Sequence, residues 1–169
     1  VRRNIVITGF MGTGKSTIGR ALAQRLGYDF VDMDTLIEER QGRTIREIFE
    51  REGEACFRQL ESNLCRELAG WWKYVIATGG GTLVNPENLA VFRAKNLVIC
   101  LDCDPKILWL RLSASENRPM LDSADKKTRL LALLAQRQPA YAKIEHHIDT
   151  THRSVEAVVA EARALWEWG

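Results

Sequence analysis

Short runs of aliphatic and β-branched residues alternate along the chain with longer stretches whose apolar positions recur at helical spacing. Ile5, Val6 and Ile7 are continuously apolar, so Asn4–Thr8 predicts a strand buried on both faces. Ser16–Leu26 predicts a helix closed by Gly27, and Tyr28–Asp32 a second short strand. Asp34–Gln41 reads as a helix that stops at Gly42. Thr44 and Glu47 have capping-box spacing and start a helix through Arg51, before Gly53 interrupts. Phe57, Leu60, Leu64 and Leu68 then mark one face of a helix that runs up to Gly70.

Tyr74–Ala77 predicts a third strand, broken by Thr78-Gly79-Gly80-Gly81. Pro86–Lys95 suits a helix with proline in its first turn, and Leu97–Leu101 is a fourth, continuously apolar strand. Asp104 caps a helix through Leu112. Residues 113–124 (SASENRPMLDSA) are polar and aperiodic and read as a mobile loop. Helix returns from Lys126 to Tyr141, and His147–Asp149 reads as a short last strand. Ser154 caps a final helix that buries Val155, Val158, Val159, Ala162, Leu165 and Trp166. Strands alternating with helices predict an α/β fold, a parallel sheet covered by helices on both faces. With no repeat and no linker, one domain over 1–169 is expected.

Composition narrows the class. Apolar residues at 46% and charged residues at 27% exclude a disordered chain. The net charge of +2 is evenly spread, with 12 basic and 11 acidic side chains in residues 1–85 and the same again in 86–169. Bulk charge therefore suggests no polyanion-binding surface, and any bound anion must be held locally. No apolar stretch approaches the ~20 residues of a membrane span. The apolar run near the start is cut by Gly12, Gly14 and Lys15, too soon for a signal sequence. Four cysteines are too few for a secreted scaffold, so a cytoplasmic setting is expected. Val1 itself could be a native or a trimmed start.

The local site is explicit. Gly9-Phe10-Met11-Gly12-Thr13-Gly14-Lys15-Ser16 fits G-x-x-x-x-G-K-[ST] between a predicted strand and a predicted helix, and Thr17 follows. Glycines let the backbone approach phosphates, and loop N–H groups at a helix N-terminus point at their oxygens. Lys15 supplies charge to the β- and γ-phosphates, and Ser16 Oγ a ligand for Mg²⁺. Asp32 and Asp34, two apart at a strand end beside this loop, can both face the ligand crevice. One suits the Mg²⁺ shell and the other a general base, while Asp34 as a simple helix cap is the plainer alternative.

The segments GFMGTGKST at 9–17, DMD at 32–34, GRTIREIF at 42–49, GE..FR..E at 53–61, VIATGGG at 75–81, RPML at 118–121 and RQPAY at 137–141 occur in a specific order and spacing. In them the chain resembles shikimate kinase, from about Ile5 to Asp149; Met120 stands where that family more usually has leucine. The resemblance implies a single-domain P-loop kinase of the nucleoside-monophosphate-kinase-like fold. Its parts would be the P-loop at 9–17, a substrate-binding region at about 33–61 and a lid at about 113–124. The implied reaction is ATP-dependent phosphorylation of the 3-hydroxyl of shikimate, with Mg²⁺, giving shikimate 3-phosphate and ADP.

The same resemblance implies roles residue by residue. Gly12, Thr13, Gly14, Lys15, Ser16 and Thr17 would hold the nucleotide phosphates, and Arg111 and Arg153 would line the adenine pocket. Arg58 and Arg137 would clamp the substrate carboxylate, for which a planar guanidinium is suited, with Glu61 orienting Arg58. Asp34 would bind ring hydroxyls and act as base, and Gly79, Gly80 and Gly81 would bring backbone N–H groups to the substrate. Asp32 would orient the Mg²⁺ shell, and Arg118 would close over the transferring phosphate. Taken alone, Arg58 and Glu61 at i, i+3 could be a surface ion pair of little energetic weight.

Other readings remain open at this level. A related P-loop kinase for gluconate or a nucleoside monophosphate shares the phosphate machinery. A nucleotide-binding regulator without catalysis is opposed by intact Lys15, Ser16, Asp34 and Arg118. Partners are expected to be ATP and shikimate, with no nucleic acid, no membrane and a monomeric state. Cys100-x-x-Cys103 reads as two small buried hydrophobes, and His146 and His147, adjacent on a strand, point to opposite faces and chelate poorly. The paired tryptophans suit packing rather than base stacking, since no basic stripe accompanies them.

Overall fold

The computed structural model describes residues 1–114 and 124–169. Its sheet has five parallel strands: β1 (Ile5–Gly9), β2 (Asp29–Asp32), β3 (Tyr74–Ala77), β4 (Leu97–Asp102) and β5 (His146–Asp149). They lie in the order β2-β3-β1-β4-β5. The helices are α1 (Lys15–Leu26), α2 (Met33–Gln41), α3 (Ile45–Glu52), α4 (Glu54–Leu68), α5 (Pro86–Arg93), α6 (Pro105–Ser113), α7 (Ala124–Tyr141) and α8 (Val155–Trp168). No helix among the described residues is long and apolar enough to cross a membrane.

β1 is central because it is apolar on both sides. Ile5 and Ile7 pack with Leu22 of α1 and Val158 and Ala162 of α8, while Val6 turns to the opposite face with Phe57, Leu64 and Leu134. Its neighbours, β3 and β4, run in register with it from Ile5↔Val75 and Ile5↔Leu97 onward. In such open sheets ligands gather beyond the carboxyl ends of the strands, where connections depart to either side. That is where β1 meets the phosphate-loop motif.

At the opposite end, buried Asn4 ties several segments together. Its Nδ2 donates to Trp71 O and to Asn96 Oδ1, both at 2.9 Å, and its Oδ1 accepts the Tyr74 N–H at 3.0 Å.

Local rules account for the element ends. Thr44 and Glu47 form a reciprocal capping box at α3, and Asp104 and Ser154 cap α6 and α8. One cap decides between the two readings of Asp34. Asp32, extended at φ −100°, accepts the Thr35 N–H at 3.2 Å and caps α2, which starts at Met33. Asp34 therefore sits inside the first turn and is not the cap. A 3₁₀ turn at Thr82–Val84, whose β-branched residues gave no helical signal, is fixed by Asn88 Nδ2 donating to Thr82 O at 3.0 Å. The expected 113–124 loop is trimmed at both ends, since Ser113 ends α6 and Ala124 begins α7. Residues 115–123 of it, with Arg118 and Met120, lie outside the described residues.

Candidate active site

The loop from β1 to α1 turns on Gly12 and Gly14, at φ 82° and 95°, a left-handed backbone that side chains disfavour. Lys15 begins α1, and its Nζ donates to Gly9 O at 2.8 Å and Phe10 O at 3.1 Å, lying along the loop. Burial lowers its pKa to about 8, against the pull of Asp34 and Asp32. Ser16 Oγ donates to Asp32 Oδ2 at 2.7 Å. Thr13 is buried at the back of the loop, its hydroxyl donating to Phe10 O at 2.7 Å.

A crevice of about 560 Å³ opens from this loop across the ends of β2 and β3. It brings together Gly12, Gly14, Lys15, Ser16, Thr17, Asp32, Asp34, Arg58, Gly79, Gly80, Gly81 and Arg137, all singled out in the sequence, and adds an apolar wall of Ile45, Phe49 and Phe57. Asp34 is raised to about 6, first by burial and then by the negative charges of Asp32 and Glu61, with Lys15 opposing.

The three glycines after β3 form a second part of its lining, and each is backed by a different charged side chain. A Cβ on Gly79 would lie 2.9 Å from Asp34 Oδ1, on Gly80 2.7 Å from Arg137 Nη1, and on Gly81 2.9 Å from Arg58 Nη1. Close approach, not unusual backbone, is what requires glycine here. One carboxylate and two guanidiniums thus share a wall that carries no side chain of its own.

Both guanidiniums are held. Arg58 Nη1 donates to Glu61 Oε1 at 2.5 Å and Oε2 at 3.2 Å, and Thr82 Oγ1 donates to Glu61 Oε2 at 2.9 Å. With its side chain only 2% exposed, Glu61 is no member of a loose surface pair. Arg137 lies over the Phe10 ring, 5.6 Å from its centroid. Tyr141, four residues along α7, fixes the Gly80 carbonyl through a 2.6 Å hydrogen bond. The 3₁₀ turn carrying Thr82 and the role of Tyr141 went unread, although Tyr141 closes the RQPAY segment.

Arg111 and Arg153 meet on the outer side of the loop around a cavity of about 180 Å³. Arg111 donates to Gly12 O at 3.1 Å and to Thr150 O at 3.0 Å, while Arg153 pairs with Glu161 at 2.6 Å. Thr150, which carried no sequence signal, and Val155, expected only as packing of the final helix, also line this cavity. A larger space of about 520 Å³ lies among Arg93, Lys95 and His146 at the amino ends of the strands, away from all of these groups.

The surroundings of this geometry are shared with known proteins. A shikimate kinase from Geobacter sulfurreducens is 48% identical over 159 residues, spanning 94% of this chain and 88% of that protein. A solved shikimate kinase from Acinetobacter baumannii, in complex with shikimate, aligns with a TM-score of 0.89 at 33% identity, over 99% of this chain and 94% of that one. A gluconokinase from Sinorhizobium meliloti aligns at a TM-score of 0.59 and 17% identity, over 97% and 92% of the two chains, and shares the fold alone. The family model for shikimate kinase matches residues 11–165, and with these relatives it establishes that the chain belongs to the shikimate kinase family.

Proposed function

We propose that the protein transfers the γ-phosphoryl group of ATP to the 3-hydroxyl of shikimate, releasing ADP and shikimate 3-phosphate. The observation that carries the residue roles is the glycine wall backed in turn by Asp34, Arg137 and Arg58, in one crevice with the phosphate loop. An acceptor with one carboxylate and several hydroxyls matches it. The guanidiniums clamp the carboxylate, and the bare backbone admits hydroxyls that a side chain would exclude.

Asp34, ionised near neutral pH, takes the proton of the attacking hydroxyl as its oxygen bonds to the γ-phosphorus and the bond to the ADP oxygen breaks. Lys15 leaves the loop carbonyls for the phosphate oxygens, and the loop N–H groups with the α1 N-terminus receive the charge that develops there. Arg111 and Arg153 flank the adenine. Ser16 Oγ and the Asp32 carboxylate, hard oxygens 2.7 Å apart beside the phosphate loop, would hold Mg²⁺, which would supply positive charge to offset that of the phosphates. In this reading Arg118, in the lid at about 113–124, covers the transferring phosphate and helps keep water out.

On this reading the chain acts as one domain over 1–169, a cytoplasmic monomer with ATP and shikimate as its partners. Its four free cysteines suit a reducing compartment. A coupled ADP-release assay tests the assignment with shikimate, gluconate and a nucleoside monophosphate as acceptors, against a no-acceptor control. Turnover of about 1–100 s⁻¹ is expected with shikimate alone. Faster turnover with gluconate or the monophosphate overturns it.

A further inference from the structure

Behind the phosphate loop, β4 and β5 bring three side chains of different chemistry onto one face. Cys100 and Asp102 stand two apart on β4, hence on the same side of the sheet. His147 is the register partner of Cys100 on β5. The ligand atoms of the three lie within 4.8 Å of one another, grading from buried Cys100 through half-buried Asp102 to exposed His147. Asp102 and His147 also line a cavity of about 360 Å³, which gives an ion a path from solvent to their side. None of the three has a part in the phosphoryl transfer proposed above.

The hydrogen bonds of His147 point to a cation. Its Nε2 lies 3.0 Å from the Ile144 carbonyl, which can only accept, so Nε2 carries the hydrogen. In a neutral ring Nδ1 then presents a lone pair to Asp102 Oδ2, 2.7 Å away, and an ionised carboxylate has only lone pairs to offer in return. Either an added proton or a metal ion must stand between them. In metal sites the ring nitrogen that does not bind the ion donates to a backbone carbonyl or a carboxylate, as Nε2 does here to Ile144 O, which leaves Nδ1 oriented as the ligand atom. The thiol of Cys100, 3.7 Å from Asp102 Oδ1, adds a soft donor, which favours a zinc-class ion over Mg²⁺.

We propose that Cys100, Asp102 and His147 bind one zinc-class divalent cation at the carboxyl ends of β4 and β5, separate from the nucleotide's Mg²⁺. Tetrahedral legs of about 2.0–2.1 Å to nitrogen and oxygen and about 2.3 Å to sulfur require Nδ1 and the carboxylate to part by about 0.6–0.7 Å and the sulfur to close on them. The ion would reach the nucleotide side through the main chain. Asp102 O accepts the Thr150 N–H at 2.8 Å and its hydroxyl at 2.9 Å, and Arg111 joins Thr150 to Gly12.

Co²⁺, a spectroscopic substitute for Zn²⁺, tests the site when titrated into the metal-stripped, reduced full chain with excess Mg²⁺ present. One equivalent should give a thiolate-to-cobalt charge-transfer band with the strong visible absorption of a tetrahedral ion, and one equivalent of Zn²⁺ should bleach both. Cys100→Ser should abolish the charge-transfer band. His147→Gln, at an exposed position, should weaken binding at least tenfold with the fold unchanged by circular dichroism, and it decides the matter should the buried Cys100→Ser fail to fold. Cys56→Ser, remote on α4, should change nothing. Absence of the thiolate band, equal affinity in His147→Gln, or loss of the band in Cys56→Ser overturns the proposal and leaves Asp102 and His147 sharing a proton.

Discussion

Asp34 and Lys15 are displaced in opposite directions by one cause, because burial disfavours whichever form is charged. For Asp34 the consequence has a definite sign. Its folded-state value of about 6 lies above the ordinary 3.8, so the folded protein holds the proton more tightly. That contribution to stability is fully present below 3.8 and is lost as pH rises through about 6. Urea unfolding of the metal- and nucleotide-free protein should therefore show wild type losing stability relative to Asp34→Asn across that window, and a flat difference would contradict it. Under assay conditions Asp34→Asn should collapse turnover while the fold survives. Removing Arg58 or Arg137 deletes a charge-assisted contact of about 1.5–3 kcal/mol, so shikimate KM should rise roughly 10- to 150-fold with ATP KM little changed. Equal losses for both substrates would place these arginines elsewhere in the reaction. The identities of these residues were legible because each lies in a recognisable segment. The Cys100–His147 neighbourhood was not, because register between strands far apart in the chain leaves no local trace.

Among the elements, the turn after β3 shows best how a blank stretch of sequence shapes chemistry. Gly81 has φ −94°, which any residue adopts, so alanine there is permitted by the backbone and opposed only by the Arg58 guanidinium. Gly81→Ala should keep its melting temperature close to wild type and raise shikimate KM by pushing Arg58 aside; an unchanged KM would show that the guanidinium does not serve the acceptor. Strand and helix positions were readable from periodicity, and the capping box of α3 appeared as expected. The plainer alternative of Asp34 as the α2 cap fails because Asp32 takes that place; both suit a first turn, and only the extended backbone at Asp32 separates them. The 3₁₀ turn was missed for a related reason. Thr-Leu-Val favours a strand, and its turn is held by the Asn88 side chain six residues on, a hydrogen bond that apolar periodicity does not register.

For the whole molecule, support and chemistry occupy opposite ends of the sheet. Asn4 joins β1 to the segments leading into β3 and β4, yet lies at the strand ends farthest from the phosphate loop. Asn4→Ala should cost at least about 1–3 kcal/mol in urea unfolding by orphaning a backbone group, with kcat and both KM values unchanged in the folded enzyme. A parallel α/β sheet was legible from the alternation of apolar runs, but the strand order was not, since periodicity says nothing of which strands pair. The glycine wall also sets a direction for how this enzyme's acceptor range can change. No residue is smaller than glycine, so every substitution at Gly79, Gly80 or Gly81 can only narrow the site. Variants accepting a bulkier acid must arise by carving the apolar side of the crevice, at Ile45, Phe49 or Phe57, and selection for broader tolerance should find its successes there.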